Sequence, residues 1–314
     1  MIRRRLASAL DWRFRAVIAR LDALGCRVDE LDSQLKATLA AIEGRVQPML
    51  RAILDEEAEN RRRLFALRDS AGYEDAFTNP DPLVSVVIAT DGICEELVTR
   101  ALPSLLAQTH ANLEVLVVGD ATDPAVEEAV RGLGDERVSF WNLSQRLVAH
   151  ADRARHWLVG STMARNEASR HARGQWLLQC DHDDMVRPDA VARLLDMARE
   201  QSAEVAYGGY EAHFPDGRRA RHLEFPPQWE RFAWPAALIH GGLRFFEREL
   251  VAAELELPGD AYLLLRMLRA GVRFAMLDAV VLDYYPSRQW GRNGRSARPS
   301  VLASLTHTSP RPID

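Results

Sequence analysis

Short apolar segments alternate with helical patterns through the middle of this chain, and this alternation constrains the fold more than any other feature. Residues 83–89 are apolar and rich in β-branched side chains, and leucines at helical spacing follow them. A second, largely apolar segment, 114–118, precedes a helical pattern at 124–131, and a helical pattern at 161–173 precedes the segment 175–180. Such alternation predicts an α/β fold with a mostly parallel sheet covered by helices on both faces.

The alternation loosens after residue 204. We predict a helix over 188–202, two strands over 205–214 that lead to a turn at 215–217, a helix over 261–270 and a last pair of strands within 272–284. Residues 225–242 contain tryptophans and prolines without a clear period, and we predict a loop there.

Residues 1–79 follow a different pattern. Apolar residues recur at alternating steps of three and four, the spacing of a coiled-coil seam: Phe14, Val17, Leu21, Leu24, Val28, Leu31 and Leu35. After a stutter the pattern resumes at Leu39 and runs to Ile53, and Pro48 is expected to kink or break the helix. Three interpretations remain open: a coiled coil that forms a homodimer through residues 14–54, a helical hairpin folded back on the following domain, and an amphipathic helix at a membrane surface.

These patterns divide the 314 residues into a helical segment at 1–79, an α/β domain at 80–290 and a polar tail at 291–314, with a linker over 72–82. A net charge of −5 argues against a protein that coats nucleic acid. Three widely spaced cysteines predict neither a disulfide framework nor a Cys-rich zinc site. Because we find neither a signal peptide nor an apolar run of about 20 residues, we expect a cytoplasmic protein without a transmembrane segment, and peripheral membrane attachment remains open.

Polar side chains follow three of the predicted strands at their carboxyl ends. Thr90 and Asp91 follow the first strand, Asp120 follows the second, and residues 181–184 follow the strand at 175–180. Ligands bind beyond the carboxyl ends of the strands in open α/β sheets, which makes these residues candidates for one binding site. Taken singly, each of them is equally consistent with a turn residue or a helix cap.

Asp181, Asp183 and Asp184 place three carboxylates within four residues. Such groups repel one another unless they are solvated, protonated or share a cation, and oxygen ligands suit Mg²⁺ or Mn²⁺ better than zinc. A metal held by one or two carboxylates keeps positions free for phosphate oxygens, which suits the neutralisation of a departing diphosphate. A cap on the helix that begins near Pro188 is the alternative role for Asp184, but it does not account for Asp181 and Asp183.

Arg165 lies in the first turns of the helix predicted from residue 161. A helix N-terminus attracts anions, and a guanidinium there matches the geometry of phosphate. A solvent-facing arginine is the alternative.

The order of these motifs resembles the glycosyltransferases of family 2, which have the GT-A nucleotide-diphospho-sugar transferase fold. The resemblance rests on residues 84–90, on RALPSLLAQT at 100–109, on 112–120 and on 164–176, and the sequence DHDD at 181–184 is similar to the DxD motif of that family. It covers about residues 83–285, so the helical extension at the N-terminus lies outside it.

The resemblance implies roles for the residues that match the family's donor-binding positions. Thr90 and Asp120 would line the nucleotide base, with Asp91 beside them, although Asp91-Gly92 stands where an aromatic residue and an asparagine are common. Of the remaining positions, Arg165 would approach the base or the diphosphate, Asp181 would face the ribose or the donor sugar, and Asp183 would hold Mn²⁺ or Mg²⁺.

The resemblance also implies a catalytic base. In these enzymes the base lies in a Glu-Asp pair at the start of a late helix, and counting back from residues 268–271 matches that pair to Gly259-Asp260. Asp260 would then remove the proton of the acceptor hydroxyl during a single displacement that inverts the anomeric configuration. Gly259 replaces the usual glutamate, which is expected to alter acceptor binding.

The expected function is therefore an inverting, metal-dependent transfer of a sugar from a nucleotide-diphosphate sugar, most often UDP-linked in this family. The acceptor would be a hydroxyl of a glycan, a lipid-linked sugar or a small molecule. The alternative is an inactive nucleotide-binding scaffold oligomerised by the N-terminal coiled coil. Removal of residues 1–79 is expected to change the oligomeric state before it changes the chemistry.

Overall fold

A computed structural model describes residues 2–41, 43–44, 47–92, 94–146, 148, 160–223, 236–246 and 259–285, and it leaves out the side chains of 2–16, 18, 41, 48–55, 94, 260 and 261. The expected polar tail therefore lies outside the described residues. Within the described residues, no helix combines the length and the apolar character needed to cross a membrane.

A single sheet forms the centre of the described α/β domain. Its strands are β1 Val84–Thr90, β2 Leu113–Gly119, β3 Val138–Asn142, β4 Trp176–Asp181, β5 Met185–Val186, β6 Val205–His213, β7 Arg219–His222, β8 Ala237–His240 and β9 Phe274–Tyr284. They lie in the order β3-β2-β1-β4-β8-β6-β9-β5, with β7 paired to β6. The first four strands are parallel, β8 runs antiparallel to β4 and β6, and β9 is parallel to β6.

Helices cover both faces of this sheet. They are α1 Ile2–Ala41, α2 Gln47–Arg68, α3 Asp75–Thr78, α4 Cys94–Glu96, α5 Leu102–Leu106, α6 Pro124–Arg131, α7 Thr162–His171, α8 Ala190–Glu200 and α9 Gly259–Ala270. A π-helical turn, Leu97–Ala101, joins α4 to α5. Alternate side chains of β1 enter two separate hydrophobic clusters, one with α5, α6 and α8 and one with α7, α9 and part of α2. The predicted mostly parallel sheet between helical layers is thus confirmed.

Three predictions for the later elements need correction. The strands expected within 205–214 form one strand, β6, and those expected within 272–284 form β9, with an irregular register opposite Gly208 and Gly209. Part of the predicted loop at 225–242 is the inner strand β8, all four residues of which are buried. A four-residue strand is too short to show a period, so only its pairing with β4 and β6 identifies it.

The segment 72–82 is not the linker that its turn-forming residues indicate. It contains α3, and Tyr73 and Ala76 are buried. The indole N–H of Trp176 in β4 donates a hydrogen bond of 2.9 Å to the carbonyl oxygen of Ala76, and the ring of Phe77 packs edge-on against the same indole. The segment therefore forms part of the core of the α/β domain.

The second half of α2 packs against the α/β domain as well. Leu64 is fully buried, and Arg68 forms two hydrogen bonds of 2.7 and 2.8 Å to the buried carboxylate of Glu204. Glu57 pairs with Arg269 of α9. This half of α2 folds back on the domain as the hairpin interpretation expects. Helix α1 ends at Ala41 and α2 begins at Gln47, in agreement with the break expected near Pro48, which is the second residue of α2, where a proline is tolerated.

The helix α1 differs in that its apolar residues are exposed to solvent. The large apolar side chains from Val17 to Leu39 are between 48% and 62% exposed, and every other described side chain of this stretch except Thr38 is exposed. The coiled-coil spacing is thus present on α1, but no described residue of the same chain packs against these apolar side chains.

Candidate active site

The carboxyl ends of β2, β1 and β4 form one edge of the sheet. Thr90 is paired in register with Gly119, and Ala89 with Asp181, so the residues that follow these strands are neighbours. The backbone N–H of Asp120 donates a hydrogen bond of 2.8 Å to the carbonyl oxygen of Thr90. Thr90 and Asp120 are each only 2% exposed. The structure therefore brings the candidate residues of three strands together at the edge where α/β sheets bind ligands.

Residues 181–184 form a turn, called here the aspartate turn, which contacts from other elements hold in place. Arg165 of α7 forms an ion pair of 2.5 Å with Asp181, so these two candidate residues meet directly. The ring Nδ1 of His182 lies 3.1 Å from the carbonyl oxygen of Ala89. The guanidinium of Arg100 donates a hydrogen bond of 2.7 Å to the carbonyl oxygen of Asp183. The backbone of the turn is therefore fixed relative to β1 and to the π-helical turn.

Asp184 is fully buried and does not cap a helix. Its Oδ1 accepts a hydrogen bond of 3.1 Å from the backbone N–H of Tyr285, whereas α8 begins at Ala190 with Asp189 at its N-cap position. The alternative of a helix cap at Asp184 is therefore wrong, because the turn points this side chain into the domain. The second oxygen, Oδ2, accepts no hydrogen bond from any residue in the described part of the chain.

The charges of the aspartate turn are incompletely compensated by the protein. Burial raises the pKa of Asp183, and the nearby carboxylate of Asp181 raises it further. Burial and the other two carboxylates raise the pKa of Asp184 well above its usual range. A buried carboxyl in such surroundings is either protonated or balanced by a cation. Oxygen ligands with uncompensated charge fit Mg²⁺ or Mn²⁺, with Asp183 and Oδ2 of Asp184 as the available donors.

A second cluster with ligand-type side chains is a weaker candidate for a metal. Glu211, His213 and Asp283 offer atoms within 4.8 Å of one another. However, Arg187 bonds to both carboxylates at 2.9 and 3.2 Å, and Arg221 bonds to Glu211 at 3.0 Å. The hydrogen bond from Arg221 lowers the pKa of Glu211. Burial raises the pKa of Asp283, but the hydrogen bonds from Arg187 and His213 outweigh it and lower the pKa overall. Because arginines already balance these carboxylates, a dication would have to displace them.

Arg146 is a residue of this edge that the sequence interpretation missed. It donates hydrogen bonds to the carbonyl oxygens of Asp120 at 2.7 Å, Asp91 at 3.2 Å and Ala121 at 3.3 Å, and so joins the loops after β1 and β2. It follows β3 at a distance of four residues. Applying the strand-end rule to the third predicted strand as well would have found it.

Tyr285 also escaped the sequence interpretation. The guanidinium carbon of Arg100 lies 3.9 Å from the centre of its ring, and His213 stacks on the ring with centroids 4.8 Å apart. Only the pairing of β5 with β9 brings this residue beside the aspartate turn, so no local pattern could indicate it.

The helix that carries the expected base is α9, which begins at Gly259. Asp260 lies in its first turn, and the side chain of Asp260 lies outside the described residues. Six residues later in the same helix, the buried side chain of Arg266 forms an ion pair of 3.1 Å with Glu56 of α2. The helix that carries Asp260 therefore packs against α2.

Comparisons with known proteins agree with this architecture. The sequence profile of Glycosyl transferase family 2 matches residues 85–253, more than half of the 314 residues. Succinoglycan biosynthesis protein ExoO of Rhizobium meliloti is 36% identical over 45% of this chain and 36% of its own length. UDP-Glc:alpha-D-GlcNAc-diphosphoundecaprenol beta-1,3-glucosyltransferase WfgD of Escherichia coli is 25% identical over 42% of this chain and 47% of its own length. The match thus spans less than half of each relative.

Among solved structures, that of S. aureus TarS 1-349 in complex with UDP-GlcNAc is similar, with a TM-score of 0.50 and 18% identity over 65% of this chain and 59% of that chain. At this identity the similarity supports the fold alone. The fold and the motif resemblance agree with the profile match, and the chain belongs to glycosyl transferase family 2.

Proposed function

We propose that this protein transfers a sugar from a nucleotide-diphosphate sugar to an acceptor hydroxyl. The observation that carries the proposal is the meeting of Thr90, Asp120 and the aspartate turn at the carboxyl edge of three adjacent parallel strands. Buried hydrogen-bonding groups at β1 and β2 suit a nucleotide base, and the carboxylates after β4 suit a cation that binds phosphate. In this proposal Asp91 and Arg165 belong to the same donor site.

The donor is proposed to be UDP-linked. The choice of UDP rests on family membership and on the full name of WfgD, which gives UDP-linked glucose as the donor of that enzyme. The carboxylate of Asp120 can accept a hydrogen bond from an N–H of uracil or from an N–H of guanine. A binding measurement is therefore needed to distinguish a UDP-linked from a GDP-linked donor. The same name indicates a lipid-linked sugar as the first acceptor to test.

The proposed chemistry is a single displacement with inversion. Asp260 takes the proton of the acceptor hydroxyl while the oxygen of that hydroxyl forms a bond to the anomeric carbon. The bond from that carbon to the diphosphate oxygen breaks on the opposite face, and the nucleoside diphosphate leaves with the electron pair. Mn²⁺ or Mg²⁺, when bound by Asp183, would supply neutralising charge for that leaving group.

A titration of donors tests this proposal. Thermal unfolding of the full chain is followed with UDP, GDP, dTDP and their sugars, each with and without Mn²⁺. A ligand at 100 times its Kd stabilises a fold by about 2.7 kcal/mol, which is a readily measured shift. We expect a manganese-dependent shift with one nucleotide only. If no nucleotide shifts the transition, the proposed donor site is wrong.

Two substitutions separate donor binding from transfer. Asp183→Ala should abolish the metal-dependent part of donor binding, whereas Asp260→Asn should bind donor normally and lose transfer by at least about a hundredfold, the usual contribution of a general base. Asp196→Asn, on the exposed side of α8, is the matched control and should retain both properties. Transfer by Asp260→Asn at the rate of the unmodified protein would refute the assignment of the base.

The helical segment is proposed to form a homodimer. The seven apolar residues spaced as a coiled-coil seam support this part, and the exposure of those from Val17 onward agrees with it. From Glu56 onward, α2 packs against the α/β domain. We therefore restrict the proposed dimer contact to α1, which is a shorter stretch than the expected residues 14–54.

A further inference from the structure

The exposed seam of α1 is a narrow stripe on one side of the helix. It comprises Val17, Leu21, Leu24, Val28, Leu31 and Leu35, each between 55% and 62% exposed. Their steps of four and three place them at alternating a and d positions of a heptad, with Leu21, Val28 and Leu35 at a. A stripe of this width matches the seam of a two-helix coiled coil, since a helix buried in a globular core carries a broader apolar face.

The charges beside the seam disfavour a membrane surface as its cover. Residues 15–36 carry four basic side chains and four acidic ones: Arg15, Arg20, Arg27 and Lys36 against Asp22, Asp29, Glu30 and Asp32. Helices that lie on anionic lipid have an excess of lysine and arginine on the polar face. Residues 15–36 have no such excess, because the two signs are equal in number, and the further basic residues of α1, Arg3, Arg4, Arg5 and Arg13, lie before the exposed seam.

The same charges favour one orientation of two paired helices. With Leu21 at a, Arg20 and Arg27 occupy g positions and Asp32 occupies an e position. In a parallel, in-register pair each g residue faces the e residue five positions later in the other helix, so Arg27 faces Asp32 of the second copy on both sides of the seam. In an antiparallel pair, g positions face g positions and the arginines of the two copies face one another.

We infer that a second copy of this chain covers the seam, as a parallel, in-register coiled coil over residues 17–35 joined by two Arg27–Asp32 contacts. The inference rests on the proposed homodimer and adds its orientation and register. It places the two α/β domains at the same end of the coiled coil, because both helices run in the same direction toward α2.

Sedimentation equilibrium of the full chain tests whether the seam pairs at all. We expect a dimer mass at micromolar concentration, and a monomer mass for Leu24→Asp combined with Leu31→Asp. Ser33→Asp, on the opposite side of the helix at an f position, is the matched control and should remain a dimer. A monomer mass for the unmodified chain, or a dimer mass for the double variant, would overturn both the homodimer and its orientation.

A cysteine at the seam tests the orientation separately. In a chain with Cys26→Ser, Leu31→Cys places two thiols at facing d positions of a parallel, in-register pair, within the range that a disulfide spans. Oxidation should yield a covalent dimer in high proportion. A dimer mass without this crosslink would overturn the parallel register while leaving the homodimer intact. Donor binding is independent of both results, so failure of the proposed transfer chemistry remains distinguishable.

Charge reversal tests the two polar contacts. Arg27→Glu should weaken the dimer by about tenfold in Kd, since it turns two attractions into two repulsions. Adding Asp32→Arg to the same chain should restore the affinity. Equal affinity of the single and double variants would show that these residues do not face each other.

Discussion

The guanidinium of Arg100 lies between the aspartate turn and the ring of Tyr285. It bonds to the carbonyl oxygen of Asp183 and covers the aromatic face at 3.9 Å. A planar guanidinium can make both contacts at once, whereas an ammonium keeps the charge and loses the stacking. Arg100 therefore acts as a positioning residue that fixes the peptide beside the proposed metal ligand.

Replacement of Arg100 by alanine is expected to weaken Mn²⁺ binding in the presence of UDP by about tenfold, the value of one hydrogen bond to a charged group. Arg100→Lys should recover part of that loss. Calorimetric titration of Mn²⁺ measures the effect without relying on turnover, and Arg193→Ala on α8 is the control. Unchanged Mn²⁺ affinity in Arg100→Ala would reduce this residue to a packing role.

Glu204 is a fully buried carboxylate at the start of β6. It accepts hydrogen bonds from Arg68 at 2.7 Å, from the hydroxyl of Tyr73 at 2.8 Å and from the backbone N–H of Arg273 at 2.8 Å. Burial raises its pKa, but these hydrogen bonds outweigh burial, and the pKa of Glu204 is lowered overall. The folded state thus favours the ionised form.

Because the pKa is lower in the folded state, this contribution to stability is present above the unfolded pKa, about 4.3, and is lost as the pH falls through the folded value. Glu204→Gln should reduce the free energy of unfolding by about 3 kcal/mol at pH 7, since it leaves Arg68 without its buried partner. Urea unfolding between pH 7 and pH 3 should show a smaller decrease for the variant than for the unmodified protein. The control Glu200→Gln, at an exposed residue, should show the same decrease in the free energy of unfolding as the unmodified protein. An equal decrease for Glu204→Gln would contradict this account.

At the scale of elements, α2 links the N-terminal helices to the domain core. Two adjacent residues of this helix have opposite surroundings, because Leu64 is fully buried and Phe65 is 54% exposed. Leu64→Ala should therefore destabilise the protein by about 2–5 kcal/mol, the range for removing a buried leucine side chain. Phe65→Ala should change the stability by less than about 0.5 kcal/mol. Chemical denaturation measures both, and similar effects for the two variants would mean that α2 does not pack through Leu64.

The sequence predicts some elements well and others poorly for a physical reason. Strands β1, β2 and β4 are mostly apolar along their length, and α6 begins at a proline with Asp123 as its cap. By contrast, β8 and α3 have four residues each, and both owe their burial to segments that are distant in sequence. Local patterns indicate elements whose own residues provide the signal, whereas pairing and docking decide the others.

The same distinction applies to the site. The strand-end rule identified Thr90, Asp120 and the aspartate turn because each directly follows an apolar run. It missed Arg100 and Tyr285, whose places beside that turn depend on a π-helical turn and on the far end of β9. It also left a helix cap open as a role for Asp184, since the direction of a side chain within a turn is not encoded in spacing.

At the scale of the whole molecule, the cooperative unit begins within α2. The α/β domain of a chain that starts at residue 47 should unfold at the same temperature as in the full chain, because the described side chains of α1 from Val17 onward, apart from Thr38, do not pack against that domain. A chain that starts at residue 83 lacks Leu64, Tyr73 and Ala76 and should show no cooperative transition. Thermal unfolding followed by near-ultraviolet circular dichroism distinguishes them. By the same argument we expect removal of residues 1–79 to disrupt the α/β domain, and not to change the oligomeric state first. A cooperative transition in the shorter chain would contradict this.

The packing of α2 and α3 against the α/β domain also bears on how genes of this kind recombine during evolution. The family profile begins at residue 85, yet the carboxylate of Glu204 and the indole of Trp176 within that region have partners upstream of it. A recombination event that transferred only the matched region would leave a buried charge without its counter-ion and a core face uncovered. Selection would then preserve exchanges with breakpoints before α2, so residues 56–78 and the transferase domain are expected to descend together, while α1 can be exchanged independently.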